Sequence, residues 1–254
     1  MLAIDLSGRT ALVTGAAGQL GRVMIRTLAR AGADVVIHYQ SSGKKAAELL
    51  EEVRGMGRRG MIVQADVTNR ESVAEMKRKT AEQLGHVDIV VANAVIQYQW
   101  TSVLEQPPQD YESQFESCVM QNVYLAQIFV PDMIGKKYGR MIGINTECSM
   151  QNFKTQSAYV AGKRGMDGVY RVLAKEVGEH GITVNQVAPG WTISDRDREN
   201  NAERSEAYER SVPLGRRGTD QEIANVVAFL ASDLASFITG AYVPVNGGNV
   251  MPAI

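Results

Sequence analysis

Thr14-Gly15-Ala16-Ala17-Gly18-Gln19-Leu20-Gly21 starts where a first predicted strand, Thr10–Thr14, ends, and it runs into helical periodicity over Leu20–Ala31. Glycines there let the backbone turn sharply and approach a pyrophosphate closely, while a helix N-terminus offers free N–H groups and a positive dipole end. A glycine-rich string alone is often only a turn. Between a strand and a helix of one βαβ unit it reads as a dinucleotide-binding turn, with Gly15, Gly18, Gln19, Leu20 and Gly21 as the contacting residues.

The pattern repeats outward from that turn. Further β-branched runs read as strands at Asp34–Tyr39, Gly60–Gln64, Asp88–Ala92, Arg140–Asn145, Thr183–Ala188 and Ala241–Val245. Helical periodicity fills Lys44–Gly57, Arg70–Leu84, Tyr111–Ile134, Ser157–Gly178 and Asp220–Ala231. Strands alternating with helices of ten or more residues predict right-handed crossovers and a Rossmann-type α/β fold. Its doubly wound parallel β-sheet is flanked by helices, in a single domain over residues 1–254. Continuous apolar strands suit a sheet covered on both faces. Two segments interrupt the rhythm: 96–110, rich in Gln, Trp and Pro, and 194–212, charged and rich in Asn, Glu and Arg. Loops at strand ends carry ligand contacts, so 194–212 is read as a substrate-binding lid.

Composition excludes several classes. The 254 residues carry a net charge of −1, which offers no basic footprint for nucleic acid or an anionic membrane. Apolar runs stay far short of the ~20 residues of a membrane span, and the start shows no export signal, so a cytoplasmic protein is expected. Cys118 and Cys148 are too few for a disulfide framework, and His38, His86 and His180 lack partners at metal-ligand spacing. No metal site is expected.

Tyr159-Val160-Ala161-Gly162-Lys163 places a phenol and an ammonium four residues apart, on one face of a predicted helix. Free tyrosine ionises near pH ~10, and a neighbouring positive charge favours the phenolate and draws that value toward neutrality. The spacing also suits an amphipathic helix with a snorkelling lysine.

Taken in order, these residues resemble the short-chain dehydrogenase/reductase family in its single-domain branch. The likeness runs through the glycine turn, Asp66-Val67, Asn93-Ala94, Asn122, Tyr159/Lys163, Pro189-Gly190, Ile238-Thr239-Gly240 and Asn246-Gly247-Gly248. Pro213-Leu214-Gly215-Arg216 and Glu222-Ile223-Ala224 are similar to the family's bacterial 3-oxoacyl-carrier-protein reductases and sugar or polyol dehydrogenases.

The resemblance implies an oxidoreductase that moves a hydride between a nicotinamide cofactor and a carbonyl or secondary alcohol. Tyr159 would be its general acid/base. Lys163 would lower the phenol's pKa and bond the nicotinamide ribose, and Asn122 would anchor a water leading to solvent. A serine is usual thirteen positions before the tyrosine; here that position is Thr146, whose hydroxyl can still donate. Ser149 is the rival. Pro189, Gly190, Thr192 and Ser194 would hold the carboxamide, and Asp66 the adenine amino group, unless Asp66 caps the following helix. Association into a homotetramer is implied, through the long helices and the last strand.

Departures from the family pattern leave questions for the structure. Gln19 stands where a glycine is usual and either bonds a phosphate or crowds the turn. Val95 replaces a glycine and cannot take a positive φ, so its loop must run differently. At the end of the second strand, Tyr39-Gln40-Ser41-Ser42 lacks the carboxylate that would accept from an NAD ribose. NADP(H) is favoured and NAD(H) is the alternative. Gln97, Glu147, Gln151 and Trp191 are the substrate candidates, beside Tyr98, Trp100 and Asn152. That wall suits a sugar, polyol or hydroxy acid; a 3-oxoacyl thioester is the alternative substrate. Thr146, Gln19 and Val95 also motivate a different reading, a cofactor-binding but catalytically weak scaffold or sensor.

Overall fold

Seven parallel strands form one sheet in the order β3-β2-β1-β4-β5-β6-β7. They are β1 Thr10–Val13, β2 Asp34–Tyr39, β3 Gly60–Gln64, β4 Ile89–Ala92, β5 Gly139–Ile144, β6 Ile182–Pro189 and β7 Tyr242–Val245. The structure is a computed structural model and describes residues 3–252. Helices α1 Gln19–Arg30, α2 Gly43–Gly55, α3 Arg70–Gln83, α4 Pro108–Phe115, α5 Gln121–Lys136, α6 Cys148–Gln151, α7 Ser157–Val177, α8 Asp195–Glu199, α9 Glu206–Glu209 and α10 Asp220–Ala231 complete the chain.

Burial explains why the strands read as unbroken apolar runs. Every residue of β1, β4, β5 and β6 is buried. On one sheet face, Met24, Ile25 and Leu28 of α1 pack with Ile223 and Val227 of α10. On the other, Leu125 and Phe129 of α5 pack with Met166 and Tyr170 of α7. Removing a buried Leu28 side chain beyond Cβ would cost about 2–5 kcal/mol.

The segment expected to be one helix over Tyr111–Ile134 is broken. A π-helical turn, Glu116–Met120, separates α4 from α5, and the Gln121 amide reaches back to the Glu116 carbonyl. The carbonyls of Ser117 and Cys118 are taken instead by the side-chain amides of Gln121 and Asn122, at 2.5 and 2.6 Å. Side-chain amides that replace main-chain donors explain why periodicity could not see the break. Such bulges re-aim side chains at sites.

Strand order reverses between β1 and β4, which both lie centrally with β2 and β5 outside them. A crevice at the carboxyl ends of these two strands is where an open α/β sheet binds ligands.

Candidate active site

The crevice is anchored by Thr14. Its hydroxyl donates to Gln121 Oε1 (2.7 Å) and accepts from the amides of Asn93 (2.9 Å) and Ala94 (3.0 Å). The Asn93 side-chain amide returns to the Thr14 carbonyl at 2.9 Å. The ends of β1 and β4 are thus locked together by buried polar groups. Gly15 sits at φ +62°, and a Cβ there would press on Ala94 Cα at 3.1 Å. Gly21 is needed for a different reason. A Cβ on it would lie 2.4 Å from the Gly15 carbonyl, so only glycine lets α1 approach the turn.

His38 supports that turn from below. Gly15 N–H donates to its Nδ1, and its Nε2 lies 3.0 Å from the Ala65 carbonyl. A backbone amide only donates, so Nδ1 must accept and the ring proton sits on Nε2, donating to Ala65. Burial holds the imidazole below its ordinary pKa. Sequence reasoning left His38 without a role because its partners are main-chain atoms.

Across the cleft, α7 presents Tyr159 and Lys163. Tyr98 Oη accepts from the Tyr159 amide at 2.8 Å, and the Trp100 ring stacks over the Tyr159 ring at 6.2 Å between centroids. Burial pushes the phenol well above its usual pKa, while a hydrogen bond from the Thr146 side chain acts in the opposite direction. The lowering expected from Lys163 is not what the folded chain alone provides. Its ammonium donates to the Ile144 carbonyl at 2.6 Å. Ser149 is turned elsewhere, donating to the Thr146 carbonyl at 3.0 Å with the Tyr242 hydroxyl at 2.8 Å. Only Thr146 of the two lines the cleft.

A third wall comes from segment 190–212. Tyr208 of α9 accepts from the Trp191 amide at 2.9 Å and donates to Glu147 Oε1 at 2.8 Å. Its ring meets Trp191 edge-on at 5.5 Å. Arg217 holds the segment's base: buried, it lies over the Trp191 ring and bonds the Thr192 and Ala202 carbonyls and Asp197. That pair and the Ser194 hydroxyl pull the Asp197 carboxyl down to about 2.

These walls enclose a cleft of about 1180 Å³. Every glycine-turn candidate lines it except Gly21. Gln19 neither crowds the turn nor is free: its side-chain amide donates to the Ile193 carbonyl at 2.8 Å. Tyr39, Ser41, Val67, Asn93 and Ala94 line the cleft, as do Pro189, Gly190, Thr192 and all four substrate candidates. Val95 lines it too without a positive φ.

Asn122, Asp66, Asn152 and Ser194 also fall outside the lining. The Asn122 amide is spent on Cys118, and its oxygen accepts from the Tyr170 hydroxyl. Asp66 accepts from the Thr68 amide and hydroxyl, and Asn69, not Asp66, caps α3. Ser194 caps α8 in a reciprocal box with Asp197, which occupies the hydroxyl expected to hold a carboxamide. Gln156 and Tyr208 line the cleft without having been singled out; Tyr208 lies far along the chain, and no local pattern marks it.

A glycine turn facing a Tyr/Lys/Thr wall at a sheet's switch point defines a dinucleotide-dependent oxidoreductase. The family model described as enoyl-(acyl carrier protein) reductase matches residues 15–249. A 3-oxoacyl-[acyl-carrier-protein] reductase FabG of Pseudomonas aeruginosa is 38% identical over 249 residues, covering 98% of this chain and 100% of that protein. Its Staphylococcus epidermidis counterpart is 34% identical over 243 residues, covering 96% and 99%. Among solved structures, a Serratia marcescens short-chain dehydrogenase/reductase double mutant superposes with a TM-score of 0.87 at 27% identity, covering 96% of this chain and 99% of that one. A Sinorhizobium meliloti protein assigned as a short-chain alcohol dehydrogenase gives 0.88 at 30%, covering 98% of each. The chain belongs to the short-chain dehydrogenase/reductase family, and it is an NAD(P)-dependent oxidoreductase acting on C=O or CH–OH groups. No helix among the described residues is long and apolar enough to cross a membrane.

Proposed function

We propose that this chain interconverts a small carbonyl compound and its secondary alcohol with NADP(H), and that Tyr159 exchanges the proton with the substrate oxygen. The observation carrying this reading is the Tyr159 phenol, held beside the Thr146 side chain in the cleft that the glycine turn opens.

The residues fit the cofactor. The turn at Gly15 and Gly18 has no side chain to obstruct a pyrophosphate, and the N-terminus of α1 supplies donors. Ser41 and Ser42 lie where a ribose 2′-phosphate would be read. Ser42 begins α2 without spending its hydroxyl on a cap, so that hydroxyl can donate to the phosphate. No carboxylate stands at this point to repel it. The nicotinamide, when bound, supplies or takes the hydride.

The remaining work belongs to side chains. Thr146 steadies the substrate oxygen by donating to it. Tyr159, kept protonated by burial, gives its proton to that oxygen as the carbonyl is reduced and recovers it in the reverse direction. Lys163 sets the electrostatics beneath the phenol. A relay through Asn122 would use main-chain atoms, because the amide is spent on Cys118 and Tyr170. The names of the curated relatives favour a second reading of the substrate, a 3-oxoacyl thioester.

The test is NADPH oxidation across a carbonyl panel, with fluorescence titration of NADPH and NADH. Turnover of at least one carbonyl and tighter NADPH binding are expected. Tighter NADH binding would overturn the cofactor choice, and no turnover in either direction would overturn the activity.

A further inference from the structure

The chain has two tryptophans, and both line the cleft. Trp100 is 47% exposed and Trp191 51%, with Phe153 at 41% and Ile96 at 38% in the same lining. Large apolar side chains left this open within one concave site, rather than scattered over the surface, mark a face that a ligand covers. They also stand around the reacting position. Trp100 stacks on the Tyr159 ring, and Trp191 is joined through Tyr208 to Glu147, the neighbour of Thr146. Each indole therefore has part of its surface packed on protein and part left bare.

The backbone around Phe153 supports this independently. Asn152 and Thr155 on either side of it hold φ of +57° and +69°. That left-handed region is uncommon for any residue with a side chain and an outlier for a β-branched threonine. The turn is held in it, since Asn152 Oδ1 accepts from Arg164 at 3.1 Å. Such strain clusters at ligand sites, and here it brings an open phenyl ring to the cleft.

Charge points the same way. Among the described residues lining the cleft only Glu147 and Lys163 are charged, because His38 accepts at Nδ1 as a neutral ring. Glu147 already receives Tyr208 and Asn249, and Lys163 is buried and donates to the Ile144 carbonyl. Gln151 Oε1 accepts from Asn249 as well, at 3.3 Å. An anionic substrate group meets no exposed cation here. A polyhydroxy chain laid on indole and phenyl faces would lose water without gaining partners.

We propose that the substrate carbonyl bears an aryl or similarly bulky, uncharged apolar group, which packs on Trp100, Phe153 and Trp191 while the oxygen faces Thr146 and Tyr159. The inference rests on the proposed reading for where the carbonyl sits. It runs against the sugar, polyol or hydroxy acid expected from the sequence, because Glu147 and Gln151, two of the polar groups behind that expectation, are bonded within the protein.

Calorimetry on the NADP⁺ complex, or on the NAD⁺ complex should that cofactor bind more tightly, reads ketone binding without turnover, since both partners are oxidised. The probes are acetophenone and cyclohexyl methyl ketone against dihydroxyacetone and acetoacetyl-N-acetylcysteamine. Both bulky ketones are expected to bind wild type more tightly than the thioester and about tenfold or more tighter than dihydroxyacetone. Cyclohexyl methyl ketone, which has no aromatic absorbance, should also change the protein's tryptophan emission, because both tryptophans lie at the site. Trp100→Ala and Phe153→Ala should each weaken the bulky ketones about fivefold or more relative to the other two probes. If Trp100→Ala disturbs the packing of Tyr159, the wild-type ranking and Phe153→Ala decide. Tighter binding of dihydroxyacetone or the thioester, equal weakening of every probe, or tryptophan emission unmoved by the cyclohexyl ketone would overturn the proposal. Failure of the underlying reading shows elsewhere, as unchanged turnover in Tyr159→Phe.

Discussion

Lys163 lies one helical turn after Tyr159, but its ammonium stands 5.7 Å from the centre of the Tyr159 ring and donates to the Ile144 carbonyl. The ammonium's hydrogen bond goes to the main chain and not to the phenol. Desolvation therefore wins, and the phenol is held protonated well above neutrality. In the cofactor-free protein, ultraviolet titration should show no Tyr159 phenolate below pH ~10, judged by the difference between wild type and Tyr159→Phe. A Tyr159 signal titrating near neutrality without cofactor would show that Lys163 governs the phenol after all.

His38 gives a pH dependence of determined sign. Its folded pKa is depressed by burial, so the folded state binds its proton less readily than the unfolded chain does. Stability from this residue is fully present above the ordinary imidazole value of ~6.5 and is lost as pH falls toward the folded value. Protonation would also turn Nδ1 into a donor facing the Gly15 amide. Thermal unfolding from pH 8 to 5 should fall more steeply for wild type than for non-titrating His38→Gln. Parallel profiles would contradict this.

Tyr208→Phe removes the hydroxyl that joins the 194–212 segment to Glu147 Oε1 and accepts from the Trp191 amide. Loss of those bonds should cost about 1–3 kcal/mol in unfolding free energy. The substrate KM should rise while the NADPH dissociation constant stays unchanged, because Tyr208 belongs to the segment proposed as a substrate lid. A change confined to NADPH affinity would refute the assignment of this segment as a substrate lid.

Four copies are proposed to associate through α4, α5, α7 and the β7 edge. Phe115 on α4 and Val172 on α7 are exposed, and Phe237, just before β7, is fully so. Single apolar residues outside need no explanation, but these fall on the elements assigned to the two interfaces. Sedimentation should give a tetramer that Val172→Glu shifts to smaller species. A monomeric wild type would contradict it.

Much of this is legible in the chain itself. All seven strands fall within about a residue of their expected bounds, because buried parallel strands write themselves as β-branched runs between helical periods. Tyr159, Lys163 and Thr146 all line one cleft, where the family resemblance leads one to look for them. What escapes is chemistry that depends on main-chain partners or on long-range contact. Gln121 and Asn122 stabilise a π turn by bonding carbonyls, which no apolar period records. Gln19 spends its amide on Ile193, and Ser194 spends its hydroxyl on Asp197, so residues of the right type are already committed. Tyr208 meets Glu147 across 61 positions, a pairing only the fold can make.

The most direct measurement compares wild type with Tyr159→Phe on one verified carbonyl substrate, following NADPH oxidation under saturating cofactor. Turnover should fall by about 10²-fold or more, as for loss of a positioned general acid, with NADPH affinity kept within a few-fold. Equal turnover in the two proteins would show that the proton comes from another group and would end the account of Tyr159.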